Sequence, residues 1–153
     1  MKKLIGLCFA ICLFTTAAIA QQTTGKDLQG NWKITVFSSH GITVDIPTGK
    51  VSLAPEMEAS LSAEQKKELE ENMKSQMDML KAGYIKFTGT DIAITMGPQQ
   101  QKGSLIMKDG KAFVAFKDDD GIPVELDATI VDKKLYLRHG AGAEATELIY
   151  IKQ

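Results

Sequence analysis

Apolar and polar side chains alternate along the second half of the chain in short runs. The clearest sets Val124, Leu126, Ala128 and Ile130 against Glu125, Asp127 and Thr129. Successive side chains of a strand point to opposite faces, so such a run has one face for a core and one for water. The pattern predicts strands over 84–88, 91–96, 104–108, 111–117, 122–131, 134–139 and 146–152. The same parity puts Ile85, Phe87, Ile92, Ile94, Met96, Ala112, Val114, Phe116, Leu135 and Leu137 inside. Turn residues separate the runs: Gly89 and Thr90, Gly97 and Pro98, Asp109 and Gly110, Asp118 to Gly121, Asp132 and Lys133, Gly140 to Gly142. Asp109 with Gly110 is the strongest hairpin signal, because both residues tolerate positive φ.

Upstream, a polar lead-in over 21–27 precedes a strand predicted over 31–38, with Trp32, Ile34 and Val36 on one face. Two shorter runs follow, 42–46 and 50–53, split by Pro47, Thr48 and Gly49, and Pro55 ends the extension. Residues 62–81 have a different period. Leu69, Met73, Met77 and Leu80 recur at helical spacing, Ser62 and Gln65 form a capping box, and Gly83 is placed to end the helix. At 1.5 Å per residue this helix is about 30 Å long. It must lie on or across the sheet structure rather than inside it. The opening strand and the seven later ones make eight, and the two short runs make ten.

The segment Leu28, Gln29, Gly30, Asn31, Trp32 places a glycine two residues before the only tryptophan, at the start of a strand. It resembles the G-x-W signature of the lipocalin and calycin barrels. The resemblance, to a small bacterial secreted lipocalin-like domain, covers most of residues 28–152. It implies an all-β fold with one long helix: an antiparallel up-and-down barrel of 8 to 10 strands, with the helix packed on or across it. Lipocalins also carry a basic residue over that tryptophan. Arg138, the only arginine, falls at the opposite end from Trp32, so no position clearly supplies it.

Residues 1–20 read as a secretory signal peptide. Lys2 and Lys3 precede an apolar run from Leu4 to Phe14, and Ala18, Ile19, Ala20 form a cleavage site. The expected organisation is therefore a leader over 1–20 and one domain over 21–153, periplasmic or secreted, with no membrane span in the mature chain. Cleavage leaves 153 − 20 = 133 residues and removes both cysteines, Cys8 and Cys12, so stability must come from an apolar core. Of 18 basic side chains 16 remain against 19 acidic ones, a net charge of 16 − 19 = −3 without a basic stripe, which argues against nucleic acid.

Candidate chemistry is sparse. His40 and His139 have no partner at ligand spacing, and Asp118, Asp119, Asp120 lack the further oxygens of a calcium loop. Met73, Met77 and Met79 read as core packing rather than a soft-metal site. No serine elbow or mature thiol points to an enzyme. No cofactor and no metal are expected.

Ligand binding is the expectation carried by the barrel, with Trp32, Phe87, Met96 and Phe116 lining it. Fatty-acid-binding relatives hold a carboxylate with an arginine and a tyrosine two apart. Here Tyr136 and Arg138 stand two apart in reverse order, and they enter the cavity only if the strand's parity is opposite to that set by Leu135 and Leu137. Phe37, Tyr136, Ile149 and Ile151 form an outward apolar patch, with the helix stripe as its expected cover or a protein partner as the alternative. The expected function is a non-enzymatic binder of a small hydrophobic ligand outside the cytoplasm. The alternative is a protein-interaction or envelope-associated module with a solid barrel core.

Overall fold

The computed structural model describes residues 23–118, 120–142 and 145–153. The leader expected over 1–20 and Asp119 of the acidic turn lie outside the described residues. In chain order the elements are α1 (Gly25–Leu28), β1 (Gly30–Ser39), β2 (Ile42–Asp45), β3 (Lys50–Leu53), α2 (Pro55–Ser60), α3 (Ala63–Lys81), β4 (Tyr84–Thr88), β5 (Asp91–Met96), β6 (Gln99–Lys108), β7 (Lys111–Lys117), β8 (Pro123–Val131), β9 (Lys134–His139) and β10 (Thr146–Lys152).

From β4 to β10 each strand pairs antiparallel with the next, and β10 returns to β1, whose first half also pairs with β4. Eight strands therefore close a barrel, an architecture compatible with a calycin-like fold. The choice between eight and ten resolves as eight plus two: β2 and β3 form a hairpin on the second half of β1. No helix among the described residues is long and apolar enough to cross a membrane.

The signature glycine has a physical reason. Gly30 has φ +109°, a conformation that side-chain-bearing residues rarely adopt, and a Cβ there would meet Lys152 Cε at 3.4 Å. Trp32 follows, 2% exposed, with its indole N–H donating to Leu28 O at 2.7 Å. The basic residue missing from the sequence reading is Lys152. It lies opposite Trp32 in the β1/β10 register, with its ammonium 5.3 Å from the indole centroid.

The opening strand departs from strict alternation. A bulge between Ile34 and Val36 leaves Thr35 without a partner on β10. Its hydroxyl donates to Ile149 O at 3.1 Å, and its carbonyl accepts from Ile46 N at 2.9 Å. Parity reverses past the bulge. Directly opposed residues share a face, so Val36, opposite Ile149, turns outward, and Phe37, opposite Leu148 and Val44, packs against the core. This corrects the expected inward Val36 and outward Phe37.

Two short helices were not anticipated. The lead-in at 21–27 contains α1, closed by a Thr24/Asp27 capping box and ending in the fully buried Leu28. Four residues are too few to show a period. Pro55, expected to end an extension, opens α2, since proline suits the first helical position where no intrahelical N–H is needed.

Helix α3 keeps the expected cap, with Ser62 Oγ accepting from Gln65 N. Its stripe does not cover the outer patch. Met77 and Leu80 are buried in the same cluster as the barrel interior, and Met73 packs against it. Gly83 is a glycine through close approach rather than left-handed φ, because a Cβ there would lie 2.7 Å from Ile34 Cγ2 and 2.9 Å from Leu80 O. Gly83→Ala is expected to cost about 1–3 kcal/mol by overpacking. Urea unfolding reads this out, and an unchanged midpoint would show that the helix is not seated so closely on β1.

Candidate ligand cleft at the barrel mouth

The two ends of the barrel differ in how they are filled. At the base, where β1 begins, Trp32, Ile34, Ile85, Phe87, Leu135 and Tyr150 are each at most 2% exposed. Gln29 fastens α1 across this end: its amide donates to Gly25 O and Gly89 O, and its carbonyl accepts from Gly89 N at 2.7 Å. Tyr150 faces inward from β10, and burial alone raises its phenol pKa above the ordinary value. With the base packed in this way, Trp32 and Phe87 are core residues, and Trp32 also presents an edge to a cleft on the outside of that base.

At the mouth, packing loosens. Phe37, Ile94, Met96, Phe116, Val124 and Leu148 are partly buried against the core. There a cleft of about 510 Å³ opens, lined by Ile94, Met96, Phe116, Gln99, Gln100, Gln101 and Asp118. Register shows which of these point in. Met96 opposes Gln99, and Ile94 opposes Gln101, so both glutamines share the inward face of β5 and β6. The Gln101 amide is engaged by donating to Lys117 O. The cleft thus has an apolar wall with uncharged amides beside it, and the one carboxylate of its lining, Asp118, is engaged in its own turn, accepting from Asp120 N and Ile122 N.

Helix α3 bounds this end. A Cβ at Gly97, in the β5–β6 turn, would lie 2.7 Å from Met79 Cγ, and one at Gly83 would lie 3.0 Å from Met96 Sδ. Met73 and Met77 reach the core cluster from the same helix. Met96, the methionine that lines the cleft, has a flexible and polarisable side chain, which suits a wall that must repack around an occupant.

The sequence-predicted ligand residues therefore separate. Met96 and Phe116 meet in the mouth cleft. Trp32 and Phe87 lie in the packed base. Tyr136 and Arg138 stand on the outer face of β9: Leu135 and Leu137 take the inside, Arg138 pairs with Glu147, and its guanidinium lies 5.0 Å from the Tyr136 ring centroid. The parity that would bring this pair into the cavity is not adopted. Ile149 opposes Tyr136 on the same face, and Ile151 is 42% exposed. His40 sits exposed in the β1–β2 turn, with Ser39 Oγ 2.8 Å from its Nδ1, and His139 is exposed at the end of β9.

Sequence reasoning missed Gln99 and Gln101. The polar run from Gln99 to Lys102 shows no alternation, and β6 was expected to begin only at 104. Counting back in steps of two from the buried Leu105 would have found both on the inward face.

Two carboxylates titrate abnormally. Thr24 holds the Asp27 carboxyl below the ordinary 3.8, first through its hydroxyl and then through its backbone N–H, at 2.6 and 3.0 Å. Thr48 does the same for Asp45 in the β2–β3 turn. A lowered folded pKa gives stability that is present above the unfolded value and lost as pH falls through the folded one. Between about pH 6 and about pH 2 the D27N/D45N double variant should lose less melting temperature than the wild type. Parallel profiles would show that neither turn matters to acid stability.

Comparison with known proteins finds no family model, no curated protein and no solved structure that matches this chain, so the functional reading rests on the geometry of the barrel itself.

Proposed function

We propose that this chain is a non-enzymatic, lipocalin-like binder that takes a small, mainly apolar molecule carrying an uncharged polar group into the mouth of its barrel. The observation that supports it is the 510 Å³ cleft between Ile94, Met96 and Phe116, bordered by glutamine amides, above a base filled with side chains. Its volume lies in the range of small-molecule sites, about 300–1,000 Å³. The signal-like leader at 1–20 supports action outside the cytoplasm, in the periplasm or after secretion.

A second reading keeps one specific support. The outer patch of Val36, Tyr136, Ile149 and Ile151 is not covered by the helix stripe, as a protein-interaction or envelope-associated module would require. The two readings separate on uptake of an uncharged fluorescent probe, N-phenyl-1-naphthylamine. The binder should take up one equivalent, and Phe116→Ala and Met96→Ala should each weaken it about tenfold, roughly 1.4 kcal/mol. No uptake, or uptake indifferent to both variants, would remove the mouth as the site and leave the module reading.

A further inference from the structure

We infer that the base of the barrel holds a second binding site, for a small amphipathic anion with an apolar body and a single phosphate, sulfate or carboxylate head. A separate cleft of about 410 Å³ opens there, outside the packed core. Trp32 and Ile130 line it, together with Lys26 from α1, Lys133 from the β8–β9 turn and Lys152 from β10. Apolar side chains and three ammonium groups from three different elements therefore share one cleft.

The charges at this cleft are only partly offset: after the Thr24 hydrogen bonds, Lys152 also helps to hold the Asp27 carboxyl below its ordinary value, and Lys26 and Lys133 stand beyond that one carboxylate. Asp27 is the acidic group in its lining, and its Oδ2 accepts from both Thr24 donors. Among the described residues none of the three lysines forms an ion pair with a carboxylate. Lys152 lies over the indole and donates weakly to Asp27 O at 3.4 Å, whereas Lys26 and Lys133 are exposed. A bound anion would meet three ammonium groups against one carboxylate in this lining, a net attraction. Lys33, Lys86, Lys111 and Lys134 surround the same end of the barrel, as do Asp91, Asp109 and Asp132, all exposed, so the attraction for an anion rests on the three lysines of the cleft itself.

The turn that carries Lys133 sets where its ammonium stands. Asp132 and Lys133 have φ +49° and +63°, the left-handed pair of a two-residue hairpin turn. Glycine would occupy the second position without strain, yet a long cationic side chain stands there at the rim of the cleft. The turn geometry fixes the direction from which the Lys133 side chain meets the cleft.

Trp32, the only tryptophan, lines the cleft and so reports on it. The test is a titration with decyl phosphate followed by tryptophan emission. One equivalent should bind, and raising salt from about 50 to about 500 mM should weaken it on the order of tenfold. Decanol and inorganic phosphate should each bind at least about tenfold more weakly, because each supplies half of the required chemistry. K26Q should weaken binding. K133G should weaken binding while raising the melting temperature, since it relieves the strained turn. F116A at the mouth should leave it unchanged, which separates failure of this site from failure of the mouth site.

An equal tryptophan response to decanol, wild-type affinity in K26Q and K133G, or loss in F116A would overturn the proposal. Co-sedimentation with phosphatidylglycerol vesicles but not phosphatidylcholine vesicles, abolished by K133G, would assign the anionic head to a bilayer lipid. Binding of decyl phosphate alone would assign it to a free amphiphile.

Discussion

The seam between β1 and β10 is the constraint on which the rest of the structure depends. An open sheet of these strands would leave two unpaired edges and an apolar face in water. Pairing Trp32 to Ser38 with Glu147 to Lys152 removes both edges from the eight-stranded set and turns one face of every strand inward. The seam is not uniform. Its bulge at Thr35 lets the far half of β1 re-aim, so that Phe37 joins the core and the β2–β3 hairpin can pair where β4 has ended.

From that closure follows a molecule with two unlike ends. Near the glycine that opens β1, α1 and Trp32 plug the barrel, and the inward side chains leave little exposed area. An eight-stranded barrel is just wide enough for side chains to fill or for one small ligand to enter. This chain uses both options, with a filled base and a loosely filled mouth. Large core residues at the base stabilise the closure, each contributing about 1.5–3 kcal/mol when fully buried. With stability supplied there, Met96 and the glutamines at the other end are free to pack less tightly.

Much of this was legible in the residues. Alternation gave the strands from 84 onward, with five of their seven ranges matching the structure at both ends, and the capping box located the long helix. What escaped had local physical causes. The Thr35 bulge leaves no mark in a pattern of apolar letters, yet it exchanges Val36 with Phe37. The base over the indole was sought as an arginine, whereas Lys152 reaches it only through the register of the closing strand. Of the residues expected to line a ligand, Met96 and Phe116 meet at the mouth. Trp32 and Phe87 belong to the packed end, because inward parity alone does not say how far down the barrel the space extends. Tyr136 and Arg138 lie outside, as their leucine neighbours dictate.

Native-state hydrogen exchange at the closing seam tests the central claim most directly. If β1 and β10 seal the barrel, the amides of Lys33 and Ile151, the hydrogen-bonded pair next to the Gln153 N–H that donates to Asn31 O, should exchange only through global unfolding, with the same free energy as the central strands β7 and β8. Exchange of those amides at rates typical of exposed loops, while β7 and β8 stay protected, would mean an open sheet and would contradict the division into a plugged base and an open mouth.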